Sequence, residues 1–447
     1  MKYKKYPSYK DSGIDWLGEI PSEWFNTKLK YHSFIYNGNS ISDNEKENYE
    51  NLDINNSIPY VSTKDIDSNF LTINYDNGMR VPICNNKFKI AKKSSTLICI
   101  EGGSAGKKLA LLNEKVCFVN KLACIDSYNG LDKRFSNYIV RSSIFNYLFN
   151  LATTGLIPGV SINQLKDFEI ILPSIKEQQQ IANFLDKATA KIDTLIEKQT
   201  KQIELLKEKR QAFISQAVTK GINPNVPMKD SGVEWLGEIP EHWKIIPLRH
   251  LGQLQNGVSK GSDYFGSGYP FINYGHIYNN DIIPSQINGF AQSSLEDRIA
   301  YSVKKGDIFF TRTSETIHDI GMASTCLQTI PNATFSGFTI RFRQLKEVLI
   351  PSFSRYQFRS GYSQSFFVKE MNLVTRASLG QDLLKRLHTI VPPLKEQQQI
   401  ANYLDDKTSK IDTLIEKSNK SIELLKEKRT ALISAAVTGK IDVREFA

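Results

Sequence analysis

From Ser174 to Thr219 the chain contains neither proline nor glycine. Apolar side chains recur there at Leu185, Ala188, Ile192 and Leu195, and again at Ile203, Leu206 and Phe213. This three-and-four spacing is that of a helix with one apolar stripe. A four-residue step past Gln199 interrupts the phase, which predicts a locally straightened supercoil. Pro173 and the Ser174-x-x-Glu177 pair provide a start signal, and Gly221 a stop. The 46 residues from 174 to 219 predict a rod of about 69 Å. The stripe returns at Leu404, Ile411, Leu414, Ile422, Leu425 and Leu432. A long helix with one apolar stripe needs a partner, and its own duplicate is the nearest one. Antiparallel pairing is the economical topology. It predicts a pseudo-two-fold axis, with a globular unit near each end.

Elsewhere the pattern changes. Short apolar runs such as Leu97–Ile100, Ile170–Leu172 and Asp307–Phe310 are separated by Gly, Asn and Ser. They read as strands closed by turns, with one helix expected over Arg134–Leu151. The fold class is therefore α+β: two β-rich domains separated by two long antiparallel coiled-coil helices.

The chain is a duplication. Asp11-Ser-Gly-Ile-Asp-Trp-Leu-Gly-Glu-Ile-Pro21 recurs from Asp230 to Pro240, and Lys176-Glu-Gln-Gln-Gln-Ile-Ala-Asn183 recurs from Lys395, both at a shift of 219. The stretches between diverge while remaining related. Pro59-Tyr-Val matches Pro270-Phe-Ile at a shift of 211, and Phe135-Ser-Asn-Tyr matches Phe353-Ser-Arg-Tyr at 218. That drift places an extra acidic loop in the first copy, around Ser42 to Ser57. The boundaries follow: a cassette at 1–24, a variable unit at 25–172, a helix at 173–221, a linker with the second cassette at 222–243, a variable unit at 244–391, and a helix with a tail at 392–447. The Trp16-Leu-Gly-Glu-Ile-Pro21 cassette reads as structural, its Trp and Ile anchoring a chain reversal.

Composition narrows the class. Of 447 residues 40% are hydrophobic and 23% charged, ordinary values for a folded chain. No run approaches the ~18 apolar residues of a membrane span. The first ten residues lack the apolar core of a secretory signal, so a cytoplasmic protein is expected. Five cysteines without a C-x-x-C pair and six scattered histidines predict buried reduced thiols and no metal site. The net charge is +10, compatible with a polyanionic partner. Residues 25–172 carry 17 basic against 14 acidic side chains, and residues 244–391 carry 16 against 10. On the helices, mixed Lys and Glu need no ligand.

No active site is legible. Gly102-Gly-Ser-Ala-Gly-Lys107 has Glu101 and Lys108 where a nucleotide-binding loop needs Gly and Ser/Thr. Two readings of it stay open: a tight turn carrying lysines, or a loop whose N–H groups and Lys107/Lys108 approach a nucleic-acid phosphate. The Asn/Asp-Pro-Pro-Tyr/Phe loop of adenine methyltransferases is missing. So are helicase motifs and a nuclease carboxylate pair on a strand. Candidate DNA contacts in the first copy are Ser62, Thr63, Lys64, Ser104, Lys107, Lys108, Asn120 and Lys121. Those in the second are Lys260, Asn273, His276, Arg312, Thr313, Ser336 and Arg341. Arg312 and Thr313 fall in the slot that Glu101 and Gly102 occupy in the first copy. An arginine at a loop tip suits bidentate reading of guanine; a plain surface salt bridge is the competing role.

These features together resemble the DNA-specificity (S) subunits of type I restriction–modification systems. The match rests on Lys10 to Trp24 with the copy ending at Trp243, on Pro173 to Ala182 with its copy, and on Glu101-Gly-Gly-Ser-Ala-Gly-Lys107. The resemblance implies a non-catalytic reader of double-stranded DNA with two target recognition domains, each reading half of a bipartite site. Two methyltransferase subunits would dock on the helices, and restriction/translocase subunits would join them. S-adenosylmethionine and ATP with Mg would sit on those partners, with no cofactor on this chain. A coiled-coil adaptor without DNA recognition is the alternative.

Overall fold

Two long helices dominate the chain: α1, Ile175–Lys220, of 46 residues, and α2, Leu394–Val437, of 44. The Glu177 N–H donates to Ser174 Oγ at 3.4 Å, which is half of the expected capping box. The other half is missing because Glu177 turns inward, 7% exposed and 3.9 Å from Arg444. Gly221, at φ +77°, ends α1 with its N–H on Ala217 O; the left-handed conformation favours glycine there.

The computed structural model describes residues 3–14, 16–153, 158–314, 319–370 and 377–446. The chain divides into two units, Met1–Thr200 with Asn419–Ala447, and Lys201–Ser418. Each unit takes the start of one long helix and the end of the other. In the first, Ile181, Ala182 and Leu185 share a core with Ile433, Ala436 and Val437, and Asp193 pairs with Arg429. In the second, Ile214, Ala217 and Val218 share a core with Ile400, Ala401 and Leu404, and Arg210 pairs with Asp412 at 2.9 Å. In both, partners ascend on one helix as they descend on the other, so the segments run antiparallel.

The seam corrects the expected stripe. Leu195 and Leu414 are exposed, whereas Thr189, Ile196, Thr408 and Ser418 are buried. The buried positions of α1 run Leu185, Thr189, Ile192, Ile196, then Ile203, with Gln199 half-buried between. That is an unbroken heptad alternation, with no phase slip at Gln199. Counting only apolar residues hid it, because Thr189, Gln199 and Ser418 are polar members of the seam.

Among the strands that recur in the two units, five in each frame the site. The first has β1 Ser33–Asn37, β2 Ser57–Val61, β3 Thr96–Cys99, β4 Val116–Phe118 and β5 Leu122–Ser127. The second has β6 Gly252–Asn256, β7 Phe265–Ile272, β8 Ile308–Thr311, β9 Thr334–Phe335 and β10 Thr339–Gln344. One sheet of the first unit runs β1-β5-β3 and ends on Leu109–Leu111; its counterpart runs β6-β10-β8 and ends on Ala323–Thr325. A second sheet holds a parallel pair, β2 with β4 in one unit and β7 with β9 in the other. Each variable stretch is tied off by its own first and last strands, Phe25–Lys28 with Glu169–Leu172 and Lys244–Pro247 with His388–Val391. The acidic insertion is the 3-10 segment Asp43–Tyr49, between β1 and β2. In the cassettes the deep anchors are Ile20 and Trp24, and Ile239 and Trp243, all about 1% exposed or less. Trp16 is only half-buried, against Tyr147.

The helix expected over Arg134–Leu151 is two helices, Lys133–Val140 and Ser143–Ala152. The Ser142 hydroxyl accepts the Phe145 N–H at 3.2 Å and so starts a new helix. Four cysteines are buried and Cys84 is exposed, which corrects the expectation of uniform burial. Among the described residues no helix is long and apolar enough to cross a membrane.

Burial pushes the thiols of Cys117 and Cys124 up to about 11 and that of Cys326 up to about 12. The thiolate is the nucleophile, so iodoacetamide at pH 8 is expected to label the native chain at Cys84. Mass spectrometry of tryptic peptides checks this, and labelling at Cys117 or Cys326 would contradict the burial.

Candidate nucleic-acid interface

Parallel strands end together, and this builds the site. β2 and β4 pair Tyr60 with Cys117 and Val61 with Phe118. The Val119 N–H then donates to Val61 O at 3.0 Å. Ser62–Lys64 and Val119–Lys121 therefore leave the sheet at one end. β3 joins them there, because the Ile100 N–H donates to Lys121 O at 2.9 Å. The Glu101–Lys108 turn is added by Lys108, whose Nζ donates to Thr63 O at 2.8 Å. Ser62, Thr63, Lys64, Ser104, Lys107, Lys108, Asn120 and Lys121 thus gather on one loop edge.

They do different work on it. The Ser62 N–H and hydroxyl both donate to Asp65 Oδ2, at 2.8 and 2.6 Å, and form a capping box on Thr63–Asp65. Lys108 is a tether. Lys64, Lys107, Asn120 and Lys121 are exposed, and no side-chain bond involves them among the described residues. Within the glycine turn the N–H groups of Gly102, Ala105, Gly106, Lys107 and Lys108 donate to Pro158 O, Gly102 O, Cys99 O and Ser104 O, which takes the last two. Those donors are spent inside the protein. Gly103 and Ser104, at the tip, have no acceptor for their N–H groups among the described residues, so the lysine-bearing turn and the phosphate-contacting loop are both compatible with this geometry.

The second unit repeats the construction with other side chains. β7 and β9 end at Ile272 and Phe335, and the Ser336 N–H donates to Ile272 O at 2.9 Å. Asn273 and Ser336–Phe338 leave the same end. The Arg312 N–H donates to Phe338 O at 3.0 Å, and the Gly337 N–H to Val258 O at 2.8 Å. Asn273, Arg312, Thr313, Ser336 and the segment leading to Lys260 are thereby drawn together.

One constraint recurs at this corner. Asn39 and Val258 donate their N–H to Phe118 O and Phe335 O, at 2.9 and 2.8 Å. The preceding residues are Gly38 and Gly257, and a Cβ on either would collide with that same carbonyl oxygen. The Asn-Gly pairs at 37–38 and 256–257 mark this close approach.

Three candidates of the second unit belong to the interior. His276 is buried: Nδ1 accepts the Asn273 N–H at 3.1 Å, which leaves the proton on Nε2, 2.6 Å from Asn288 Oδ1. Arg341 lies mid-strand on β10, bonded to Ser302 O and Gln255 Oε1 and 5.2 Å from the Phe335 ring centroid. Burial, then the neighbouring Arg343, pull its pKa down to about 10. Ser336 is buried, and its Oγ accepts the Phe338 N–H at 3.2 Å. All three brace the loops and are withdrawn from groove contact.

Strand register also moves the Arg312 slot. β5 pairs Leu122 with Cys99, and β10 pairs Thr339 with Thr311. The next bridges are Glu101 with Gly159 and Thr313 with Ser378. Arg312 therefore corresponds to Ile100 and Thr313 to Glu101, one residue from the expected match. Arg312 is half-buried, and its guanidinium makes no ion pair among the described residues. Phe338, the counterpart of Lys121, was missed as a candidate. It is 66% exposed, and the only sequence signal is an aromatic residue inside a Ser-Gly turn.

Comparison with known proteins adds what geometry leaves open. The family model described as type I restriction modification DNA specificity domain matches twice, over residues 21–205 and 240–424. The MjaVIII specificity subunit of a type I restriction enzyme from Methanocaldococcus jannaschii is 24% identical over 81% of this chain and 82% of its own length. The MjaIX specificity subunit from the same organism is 23% identical over 100% of this chain and 99% of its own length. A solved chain from work on complex assembly and conformational transition of the type I R–M system covers 94% of this chain and 99% of its own. Its TM-score is 0.69 at 15% identity, which shows the same fold.

His276→Ala removes a buried ring that holds the Asn273 turn against Asn288. It is expected to destabilise the second unit by about 1–3 kcal/mol, read by thermal denaturation. Lys107→Ala serves as control and is expected to leave the midpoint unchanged.

Proposed function

This chain belongs to the type I restriction modification DNA specificity domain family, whose domain it carries twice, and from that premise we propose how its parts divide the work. Each unit reads one half of a bipartite duplex site through its strand-end loop edge. The long helices carry two methyltransferase subunits, and restriction/translocase subunits join that assembly. This chain performs no chemistry itself. Its sequence lacks the adenine-binding loop, and S-adenosylmethionine and ATP with Mg belong to the partners. The compartment is the cytoplasm, where the DNA lies.

The observation that carries the reading is the repetition of one edge with unlike side chains. The same strand ends and the same glycine approach present Lys64, Lys107 and Lys121 in one unit and Lys260, Arg312 and Phe338 in the other. A structural scaffold has no need to vary its loop tips on a preserved frame. A reader of two different half-sites needs that variation. Exposed lysines supply phosphate affinity, and neighbouring polar groups supply base discrimination. Sequencing of methylated adenines in cells expressing the chain with its methyltransferase is expected to return a two-part motif. Replacing residues 25–172 by a divergent unit is expected to change one half of it. The absence of any motif would favour the adaptor reading.

Two further outcomes are expected. Lys64→Ala, Lys107→Ala and Lys121→Ala each lower the slope of log K against log salt by about 0.9 for every phosphate that the lysine neutralises, measured by duplex titration. Inserting seven residues after Gln199 and after Ser418 together lengthens each helix by about 10.5 Å. Both half-motifs are then expected to persist with a longer unread spacer. An unchanged spacer with full activity would show that the helices do not set it.

A further inference from the structure

The tip of the Ser336–Phe338 turn carries a feature that phosphate contact and hydrogen bonding do not use. Phe338 is 66% exposed, yet its backbone is held on both sides. Its N–H donates to Ser336 Oγ at 3.2 Å, and its carbonyl accepts the Arg312 N–H at 3.0 Å. Gly337, one residue back, donates its N–H to Val258 O, beside Ser259 and Lys260. The ring is therefore exposed on a fixed backbone that is hydrogen-bonded to Arg312, an arginine without an ion pair among the described residues, and Gly337 ties the same turn to the segment leading to the exposed Lys260. The other exposed rings of this unit, Phe265, Tyr269 and Phe290, belong to the strand pair β7 and Phe290–Ala291. Phe265 opens β7, and Tyr269, three residues before the end that forms the edge, has the Arg298 guanidinium 3.8 Å from its ring centroid. The first unit places Lys121 at the equivalent position.

We propose that Phe338 is a specificity-determining residue that packs on the C5-methyl of a thymine in the major groove. This rests on the second unit reading duplex DNA. On the edges of an intact duplex the thymine methyl is the apolar feature a groove-bound side chain meets. A phenyl ring on a fixed turn gains by covering it and gains nothing from a phosphate. Arg312 at its side suits an adjacent guanine, so the pair reads two neighbouring positions of one half-site. Lys121 in the first unit has no apolar surface to offer at its tip, and no thymine-methyl dependence arises from that position.

The test uses the full-length chain with its methyltransferase subunit, on the duplex motif that methylation mapping returns. Each thymine of the half-site assigned to the second unit is replaced in turn by uracil, which removes only the methyl. One replacement is expected to weaken wild-type binding about fourfold, the worth of one buried methyl-sized group. Phe338→Ala is expected to bind the thymine duplex about as weakly as wild type binds that uracil duplex, and to be indifferent to the replacement. Phe338→Leu, which keeps an apolar tip, is expected to retain part of the preference, and this guards against a folding artefact. Specific binding by Phe338→Ala with undiminished thymine preference overturns the inference alone. So does a rise in 2-aminopurine fluorescence next to that position in the wild-type complex, since it would place the ring between base pairs. Absence of sequence-specific binding by the wild-type complex overturns the reading of the second unit, and this inference with it.

Discussion

A helix of 46 residues with a single buried stripe cannot stand alone in water, and the rest of this chain is arranged around covering that stripe. Each unit takes the beginning of one long helix and the end of the other, antiparallel, so neither core is contiguous in sequence. Ile181, Ala182 and Leu185 share one core with Ile433, Ala436 and Val437. Ile214, Ala217 and Val218 share the other core with Ile400, Ala401 and Leu404. The same ion pair secures both: Asp193 with Arg429, and Asp412 with Arg210. Arg429 is the more buried of the two arginines and also donates to Asn69 O at 2.9 Å. A seam residue thereby holds the loop that follows Lys64.

The helices in turn fix where each β-rich stretch begins and ends. Tyr138 and Arg134 meet Asp186 on α1, as Tyr356 and Arg355 meet Asp405 on α2. Gln178 donates to Gly130 O and Gln397 to Val348 O, each at 2.8 Å. These contacts repeat because the helix sequence repeats, and they hold two divergent units in one frame. Divergence is then free to accumulate at the far ends of the parallel strands, where the backbone is secured and the side chains face outward. Where the repeats had to differ, they did so locally. Glu396 accepts from Trp243 Nε1 and faces His242 Nε2, both at 2.7 Å. Its counterpart Glu177 faces Arg444, which lies over Tyr6, because the first and last segments of the chain meet there.

The division between bracing and outward-facing side chains is a matter of burial. His276, Arg341 and Ser336 are polar, close to the edge in sequence, and spent on internal hydrogen bonds, as buried polar groups must be. Lys64, Lys107 and Lys121 are polar as well and opposite in placement: exposed, with no side-chain bond to their ammonium groups among the described residues. The glycine turn shows the same logic in part of its backbone: the N–H groups of Gly102, Ala105 and Gly106 close the turn, and Lys107 beside it faces outward.

Much was legible in the chain alone. The 219-residue repeat, the uninterrupted helical stretch with its glycine stop, the α+β class and the family resemblance all follow from local pattern, because periodicity and repetition are properties of the chain itself. The acidic insertion before β2 was visible as a drift in alignment for the same reason. Other features needed the fold. Thr189, Gln199 and Ser418 fall on the buried heptad positions although their own polarity argues against it, and the Tyr138 hydroxyl, from a segment distant in sequence, lies 3.4 Å from Thr189 Oγ1. Ser142 breaks a helix because its hydroxyl finds the Phe145 N–H. Arg312 moved one residue because strand register, and no local motif, sets equivalence. Arg341 and His276 read as surface groups until neighbouring strands enclosed them, and Phe338 stood out only once its turn projected it outward. Hydrophobicity along the sequence determines what tends to be buried; which atoms do the burying is decided only when distant segments meet.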